Sequence, residues 1–548
     1  SRTIQRDNGT SDAYTGATAV WNSLGRTGAG VSLAVIDDGI DYTHADFGTR
    51  GAVGDAALYA ANNPKIIEAG TFPTLKVLGG YDFVGDRYSA GSSTIACNTV
   101  TGSQTTGTAC PDVDPLACGE HGTHVSGTAA GYGVLADGTT YAGGYDTASL
   151  TGQTFKVAPG SAPLARLYMY KVFGCTGSVN DDVILAAIDR AVADHVDVIN
   201  MSLGSTWGTA DEPIAIAIDN ATKAGVLSVV SAGNDGPNAY LVGGPSTANT
   251  ALSVAAVDTS STTLPGVAIG GAGALTAGQN SNAFTFPTGP ITGVTVDVGL
   301  GCSDAEFAPA AGKIAIAHRG SCTRVERAVH ATNAGALGVI FVNNSAGYPP
   351  VEGAIPGASV PFVGVPSAAG ASLSDGHTVT LSDSAPIANP AYTNFADFTS
   401  NGPRQDSAPK PDISAPGVNI QSAFVGSGDQ ATTLSGTSMA SPHTAGIALL
   451  VRQAHPTWGP IAVKGALMST ANADGVGDFN VVRGGSGMVS ARDAVDTLAY
   501  FSTPDGRDSL AFGFRQLTGD WSATRAITIT NTSRINLTYD VAASVNTL

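Results

Sequence analysis

Three polar residues, far apart in the sequence, carry the chemical groups of an enzyme that uses a serine nucleophile. Ser438 follows Gly-Thr and precedes Met-Ala at the start of an apolar helical pattern. A serine hydroxyl is a poor nucleophile at neutral pH, so it needs a base within hydrogen-bond reach. His121, in the run His-Gly-Thr-His-Val, supplies an imidazole, and Asp37, in the run Val-Ile-Asp-Asp-Gly, supplies a carboxylate that can orient it. The chain therefore contains the three groups of an acyl-transfer site, in the order Asp, His, Ser.

These three motifs in this order resemble those of the subtilisin-like serine proteases, the subtilases. The resemblance implies that His121 takes the proton of Ser438 during attack, and that Asp37 holds the imidazole in the required tautomer. It also implies a secreted serine endopeptidase that forms an acyl-enzyme and requires no cofactor for catalysis. Because the base must be unprotonated, activity is expected to rise with pH around an apparent pKa of ~6.5–7.

A fourth motif matches the family's oxyanion segment. Asn234 lies in the run Ser-Ala-Gly-Asn-Asp-Gly, directly after an apolar stretch. Its side chain is expected to donate to the oxygen that becomes negative in the tetrahedral intermediate, together with the Ser438 backbone N–H at a helix N-terminus. The other acids and histidines beside the motifs are interpreted as surface, supporting or structural residues: Asp41, His44, His124 and His443.

Substrate binding in this family pairs extended substrate backbone with short strands of the enzyme, which implies broad specificity because all peptides share that backbone. Two segments, 177–179 and 202–204, match those strands. The second of them and 231–233 match the walls of the pocket for the residue before the scissile bond, and 242–245 matches its base. The residues assigned to this surface are Gly177, Ser178, Val179, Ser202, Leu203, Gly204, Ser231, Ala232, Gly233 and Gly243. None is charged, so a large uncharged residue is expected before the scissile bond.

Apolar, β-branched runs alternate with helical patterns over the first half of the chain. Residues 31–36 are typical of a strand buried on both faces, and the later runs of this kind are 164–173, 196–203, 226–232 and 252–257. Helical spacing of apolar residues separates them at 182–193 and 211–224. This alternation predicts an α/β fold with a doubly wound, mostly parallel sheet, as in subtilisin-like proteins. Asp37 and Asn234 fall at the carboxyl ends of strands, where functional residues of such sheets gather.

The alternation stops near residue 260. Residues 261–392 are rich in Gly, Ala and Thr, lack the catalytic motifs, and resemble the β-rich protease-associated domain inserted in many large subtilases. The catalytic domain is therefore predicted over 1–260 and 393–500. The remaining residues, 501–548, form a C-terminal β segment that resembles the start of a fibronectin-like domain, with two strands predicted at 525–533 and 536–541.

Composition limits the classes of partner. Of the 548 residues 43% are hydrophobic and 13% charged, and the formal net charge is −18. So acidic a chain disfavours nucleic acid and anionic membranes as partners. No apolar run approaches the ~20 residues of a membrane span, and residues 1–6 contain no apolar signal core. We expect the mature form of a secreted protease, with protein and peptide substrates and an N-terminal propeptide as its folding partner and inhibitor before maturation.

The chain contains six cysteines, an even number that suits an oxidising compartment. None of their spacings is typical of a zinc site. Proximity in the sequence favours the disulfides Cys97–Cys110 and Cys302–Cys322, which leaves Cys118 to pair with Cys175.

A structural calcium ion is compatible with the sequence, but no ligand set is assigned. Asp46 matches a calcium ligand of the smaller secreted subtilases, whereas the loop 131–157 is longer here and departs from their calcium-binding pattern. A second acidic set consists of Asp82, Asp86, Asp112 and Asp114. Solvated surface acids are the more ordinary interpretation of that set.

Two other functions fit parts of the sequence. A binding or adhesion protein could keep the fold without activity, but such a scaffold has no need for the whole set Asp37, His121, Asn234 and Ser438. A narrow processing peptidase usually carries carboxylates in its specificity pocket, and the matched segments have none. The related sedolisins have glutamate in place of the histidine, so His121 excludes them.

Overall fold

The computed structural model describes residues 8–48, 51–90, 109–175, 177–353, 355 and 357–540. The chain forms two compact units. The first contains the chain up to Thr259 and again from Thr393, and the second is Ser260–Tyr392.

The described residues form α-helices distributed over both units. They are α1 (Asn8–Thr15), α2 (Ala17–Leu24), α3 (Ala56–Ala61), α4 (His121–Ala130), α5 (Thr147–Leu150), α6 (Asp181–Ala193), α7 (Pro213–Lys223), α8 (Asp304–Phe307), α9 (Arg324–Asn333), α10 (Thr437–Ala454), α11 (Pro460–Ser469), α12 (Val481–Gly484) and α13 (Ala491–Asp496). Short 3₁₀ helices span Ala45–Phe47, Ala308–Ala310, Ser367–Ser372 and Ala473–Gly475. None of the helices in the described ranges has the length and apolar character needed to cross a membrane.

The strands of the described residues belong to one large sheet, one barrel and several two-stranded ribbons. They are β1 (Ser32–Asp37), β2 (Val77–Asp82), β3 (Val134–Leu135), β4 (Phe155–Val157), β5 (Arg166–Lys171), β6 (Val198–Met201), β7 (Leu227–Ser231), β8 (Leu252–Val257), β9 (Thr263–Leu264), β10 (Gly266–Ala272), β11 (Leu275–Asn280), β12 (Ile291–Asp297), β13 (Ile314–His318), β14 (Gly338–Val342), β15 (Phe362–Val365), β16 (Thr378–Asp383), β17 (Ile387–Ala388), β18 (Ile413–Pro416), β19 (Ile420–Ala423), β20 (Ala431–Leu434), β21 (Ala499–Ser502) and β22 (Thr528–Asn531).

A seven-stranded sheet organises the first unit, in the order β18-β8-β7-β6-β1-β5-β2. Every neighbouring pair in it is parallel. The predicted α/β fold with a parallel sheet is confirmed, including the strands near residues 31, 164, 196, 226 and 252. No prediction covered β2, where two glycines interrupt the apolar pattern at the sheet edge.

The two faces of this sheet belong to two separate hydrophobic cores. Along β1, Leu33 and Val35 lie in one core, whereas Ala34 and Ile36 lie in the other. Since successive side chains of a strand point to opposite faces, every strand residue must be apolar to satisfy both cores. The first core also contains apolar side chains along α10, and the second contains the apolar faces of α6 and α7. Helices thus cover both faces of the sheet, which leaves its carboxyl edge available for polar residues.

The second unit is built on a closed barrel of seven strands, in the order β10-β11-β15-β14-β13-β12-β16. One apolar cluster includes Val267, Ile340 and Leu381. A second cluster joins Ala328 of α9 to Phe341. Helix α9 begins with a capping box between Thr323 and Glu326, which satisfies backbone N–H groups at its first turn.

The C-terminal segment differs from the predicted hairpin. β22 pairs with β21 in an antiparallel ribbon, so its partner is Ala499–Ser502 and not a strand after residue 536. Residues 532–540 contain no strand. A strand pairs most stably with a strand whose position and register are already fixed, and β21 is fixed by its packing against α11.

Two of the predicted disulfides form, Cys118–Cys175 in the first unit and Cys302–Cys322 in the second. Cys97 lies outside the described residues, so the pairing Cys97–Cys110 stays a prediction. The Cys118–Cys175 bond joins the segment before α4 to the chain that follows β5, and both segments border the site described next.

Candidate active site

The sheet and α4 bring Asp37 and His121 into direct contact. Asp37 is the last residue of β1, and His121 is the first residue of α4. The Nδ1 atom of His121 lies 2.8 Å from Oδ1 and 3.1 Å from Oδ2 of Asp37. Asp37 is buried, whereas the His121 side chain is 35% exposed. An imidazole with Nδ1 held by a carboxylate keeps Nε2 available for proton transfer.

Three carboxylates act on the protonation of His121. Burial lowers the pKa of this imidazole, but the negative charge and hydrogen bond of Asp37, with the charges of Asp38 and Glu120, outweigh burial and raise the pKa to about 9. The sequence-based expectation of ~6.5–7 used the value of an isolated histidine, and the neighbours shift it upward.

Asp38 anchors the start of α4. Its two carboxylate oxygens accept the backbone N–H groups of His121, at 3.2 Å, and Gly122, at 2.6 Å. Burial, with the charge of Asp37 beside it, raises the pKa of Asp38 to about 6. A carboxylate at a helix N-terminus satisfies N–H groups that have no partner within the helix. No sequence pattern separated this role from that of a turn residue.

Ser438 is the second residue of α10, and it forms two hydrogen bonds with Ser202. The Ser438 hydroxyl donates to the Ser202 carbonyl at 3.2 Å, and the Ser202 hydroxyl donates to the Ser438 carbonyl at 2.7 Å. Asn200 and Ser441 extend this network, since Asn200 Nδ2 donates to Ser202 Oγ and Ser441 donates to Asn200 Oδ1. Neither was predicted, because both lie inside apolar runs whose pattern indicates only burial.

Asn234 points its amide N–H₂ toward a space beside Ser438. Its Oδ1 accepts the N–H and the hydroxyl of Thr437, each at 2.9 Å, which fixes the orientation of the amide. A methyl group on Gly436 would lie 3.5 Å from Ser438 N and 3.6 Å from Asn234 Nδ2. The missing side chain of Gly436 thus leaves a space bordered by two N–H donors. A small anion fits such a space chemically.

Asp37 and His121 line a cavity of about 300 Å³ that other predicted residues also border. Its lining includes Gly177, Ser202, Leu203 and Gly204. Ser178 and Val179 border a second cavity of about 190 Å³, whose lining again includes Leu203 and Gly204. The two matched segments therefore flank one cleft.

The predicted pocket segments are also joined to each other. The Gly243 N–H donates to the Ala232 carbonyl at 2.9 Å, and the Ser231 hydroxyl donates to the Leu203 carbonyl at 3.4 Å. The Gly233 N–H donates to Thr437 Oγ1 at 3.2 Å. Phe173 and Gly174 line the first cavity without having been predicted.

Histidines near the motifs bind backbone and stay neutral. His124 Nε2 lies 2.9 Å from the Ile420 carbonyl oxygen, and His443 Nδ1 lies 2.9 Å from that of Met439. Burial lowers the pKa of His124 to about 3 and that of His443 to about 4. Both side chains are structural, as predicted.

Asp41 and His44 are buried, so their assignment as possible surface residues is wrong and the supporting role remains. Asp41 accepts the N–H groups of Thr43 and Gly426. His44 accepts the Asp46 N–H at Nδ1, and its Nε2 lies 3.0 Å from the Gln430 carbonyl oxygen. Both therefore hold the loop that follows β1.

Among the described residues, Asp46 belongs to no cluster of three or more potential metal ligands. Its Oδ1 accepts the Gly133 N–H at 2.7 Å, and its other oxygen lies against the backbone of α4 near Gly127 and Gly131. Burial raises the pKa of Asp46 to about 7. Calcium takes six to eight oxygen ligands, so a calcium ion at Asp46 would need further oxygen ligands beside this carboxylate.

Two acids of the second set, Asp82 and Asp86, form ion pairs with Lys171. The Lys171 ammonium is buried, lies 3.0 Å from Asp82 Oδ2, and pairs with Asp86. Asp114 accepts the Tyr42 hydroxyl at 2.9 Å. Their interpretation as solvated surface acids is wrong for Asp82 and Asp114, which are fully buried. Lys171 therefore neutralises two acids of this set, Asp82 and Asp86.

With this geometry established, comparison with known proteins identifies the family. The sequence profile of the subtilase family matches residues 28–493. The chain belongs to the subtilase family. The parallel seven-stranded sheet of this subtilase, covered by helices on both faces, agrees with a subtilisin-like fold.

Curated relatives of this subtilase carry protease names. It is 32% identical to the minor extracellular protease Vpr of Bacillus subtilis, over 97% of the chain and 59% of that relative. It is 34% identical to the subtilisin-like protease SBT1.6 of Arabidopsis thaliana, over 66% of the chain and 49% of that relative. It is 29% identical to the PI-type proteinase of Lactococcus lactis subsp. cremoris, over 96% of the chain and 29% of that relative. The chain thus spans less than two thirds of the length of each.

Proposed function

We propose that this subtilase is a secreted serine endopeptidase that hydrolyses peptide bonds of proteins through Ser438, His121 and Asp37. The observation that carries the proposal is the 2.8 Å hydrogen bond between His121 Nδ1 and Asp37. Both residues line a cavity together with Ser202, and the Ser202 hydroxyl donates to the Ser438 carbonyl. Membership of the subtilase family supports the same assignment.

Attack requires the nucleophile to leave its present hydrogen bond. The Ser438 hydroxyl leaves the Ser202 carbonyl and rotates toward Nε2 of His121, which accepts its proton as the oxygen attacks the substrate carbonyl carbon. Asp37 keeps the proton on Nδ1 and stabilises the imidazolium. His121 then gives its proton to the leaving amine as the peptide C–N bond breaks. In the second half of the reaction water attacks the acyl carbon and gives a proton to His121, which passes it to Ser438 Oγ as the ester bond breaks and the acid leaves.

Charge on the former carbonyl oxygen is stabilised in the space beside Gly436. Asn234 Nδ2 and the Ser438 N–H supply the two donors, and the N-terminus of α10 adds a favourable dipole. Thr437 matters here because it binds Asn234 Oδ1 and so prevents the amide from turning its oxygen toward the anion.

Substrate backbone lies between the segments 177–179 and 202–204, and the residue before the scissile bond enters the pocket formed by 231–233 and Gly243. The segments that form this pocket are uncharged, so a large uncharged residue is preferred there. Cleavage of many proteins follows, because the main recognition is of backbone.

The remaining parts have accessory roles in this proposal. The barrel of Ser260–Tyr392 is a protease-associated domain that influences substrate access, and residues 501–540 belong to a small C-terminal β appendage. Export to the extracellular space and an N-terminal propeptide that assists folding and inhibits the enzyme before maturation complete it. The similarity to a relative named as an extracellular protease supports the proposed export.

Labelling with a fluorophosphonate probe tests the proposal. The probe reacts with activated serines, and peptide mass spectrometry locates the adduct. We expect modification at Ser438 that is lost in Ser438→Ala and strongly reduced in His121→Ala. Ser469→Ala, which changes an exposed serine on α11 outside the network around Ser438, is the control. Absence of labelling in the folded protein would favour a binding or adhesion protein instead.

A peptide panel separates the endopeptidase from a narrow processing enzyme. Peptides differ only in the residue before the scissile bond, with aromatic, aliphatic or basic side chains. Faster cleavage after large uncharged residues supports the proposal, whereas cleavage restricted to basic residues would contradict it.

A further inference from the structure

The 190 Å³ cavity beside the candidate active site has an unusual combination of apolar walls and negative charge. Phe173, Ile184, Leu203 and Ile214 supply apolar surface, and Glu212 and Asp181 supply two carboxylates. Among the described residues that line it, none is basic. Such a cavity suits a side chain that is apolar along its length and positive at its end, as in lysine or arginine.

Glu212 is fixed at the wall of this cavity. Its Oε1 accepts the Thr209 N–H at 3.0 Å. Its Oε2 lies close to Gly244, because a methyl group there would be only 2.4 Å away. Gly244 therefore makes room for the carboxylate. Within the part of the chain that the structure describes, Glu212 forms no ion pair, so its charge is available to a ligand.

The position of this cavity along the cleft follows from the residues that it shares with the cavity at His121. Ser202 contacts Ser438, and the next two residues, Leu203 and Gly204, line both cavities. An extended peptide presents alternate side chains to opposite sides and rises about 3.3 Å per residue. If the first residue before the scissile bond enters the pocket of 231–233, the second faces the cavity at His121. The fourth then faces the cavity at Glu212.

We propose that Glu212 selects a lysine or arginine at the fourth residue before the scissile bond. This inference rests on the proposed proteolytic function, and it adds a charge preference that none of the matched segments predicted. The carboxylate pairs with the ammonium or guanidinium of the substrate, while Ile214 and Leu203 cover its apolar stem. Glu212 thus acts on binding of the substrate and not on the proton transfers.

A pair of peptides tests the charge directly. Both have the same sequence and differ only at the fourth position, with lysine in one and norleucine, its uncharged isostere, in the other. We expect kcat/KM for the lysine peptide to exceed that for the norleucine peptide by about fivefold, the effect of a partly exposed ion pair. In Glu212→Gln the two peptides are cleaved at nearly equal rates, because the amide keeps the shape and the acceptor for Thr209 but loses the charge. The other carboxylate of the cavity, Asp181, is exposed and adds little.

Two controls separate this effect from a general loss of function. Asp211→Asn removes the neighbouring exposed carboxylate, which does not line this cavity, and should preserve the lysine preference. Moving the lysine to the first, second or third position should give a rate that does not depend on Glu212. A preference that survives in Glu212→Gln, or a Glu212 effect at another position, would overturn the proposal.

Binding to the Ser438→Ala variant keeps the test independent of catalysis. Fluorescence anisotropy compares the affinities of the two peptides for Ser438→Ala and for the same variant with Glu212→Gln. The lysine peptide should bind about fivefold more tightly only when Glu212 is present. If the native enzyme cleaves nothing, the proposed function fails. Equal affinities in this assay would refute the role of Glu212 by itself.

Discussion

Asp38 accepts the backbone N–H of His121 at 3.2 Å, so the acid that follows Asp37 in the sequence holds the helix that carries the proposed base. Asp37 binds the imidazole and Asp38 binds the backbone of the same residue. Two adjacent carboxylates therefore fix both the position and the protonation of His121. The charges of both favour the imidazolium.

This arrangement predicts an alkaline pH profile. His121 must be neutral to accept the Ser438 proton, and its pKa is raised to about 9. We expect kcat/KM to rise with pH and to reach half its maximum near pH 9. Asp38→Asn removes one of the negative charges and should move the midpoint to lower pH. The exposed substitution Asp189→Asn serves as control, and an unchanged midpoint in Asp38→Asn would contradict the assignment.

The space beside Gly436 predicts a steric effect on turnover. Gly436→Ala places a methyl group 3.5–3.7 Å from its neighbours, distances that the fold accommodates, but it fills the space that the oxyanion needs. We expect kcat to fall on the order of 10²-fold with little change in thermal stability. Gly459→Ala is the matched control, because a methyl group there has no neighbour within 4 Å. Equal activity of the two variants would show that the anion binds elsewhere.

Asp46 predicts a pH dependence of stability. Its pKa is raised to about 7 in the fold because burial disfavours the charged form. Below pH ~4 the carboxyl is protonated in both states. Between pH ~4 and ~7 the unfolded state loses this proton and the folded state does not, so rising pH costs stability.

Asp46→Asn removes this dependence. The free energy of unfolding of the variant, relative to the native protein, should therefore increase by a few kcal/mol from pH 4 to pH 8. Denaturant unfolding at several pH values measures it, with Asp211→Asn as the exposed control. A constant difference across this range would mean that Asp46 ionises normally.

Lys171 predicts a large loss of stability on removal of one charge. Its ammonium is fully buried between Asp82 and Asp86. Lys171→Met leaves these acids without their cation and should destabilise the fold by about 3–5 kcal/mol. Arg190→Met breaks an exposed pair with Asp194 and should cost less than ~1 kcal/mol. Chemical denaturation compares the two, and similar losses would show that Lys171 and its acids are better hydrated than their burial indicates.

The sequence by itself determined the parallel sheet, and it was sufficient to propose the three reacting groups. Strands buried on both faces must be apolar throughout, so a polar residue such as Asp37 marks the point where a strand ends. The motifs around His121, Asn234 and Ser438 are short runs of adjacent residues, so the local pattern was sufficient to propose these side chains as site residues.

Only the tertiary structure decided which neighbours tune the site. Asp38 meets Gly122, Ser202 meets Ser438, and Glu212 meets Gly244 across long stretches of sequence. The C-terminal strand likewise found a partner that the hairpin prediction missed. Burial, hydrogen bonding and charge depend on which side chains the fold brings together, and a residue's own type does not contain that information.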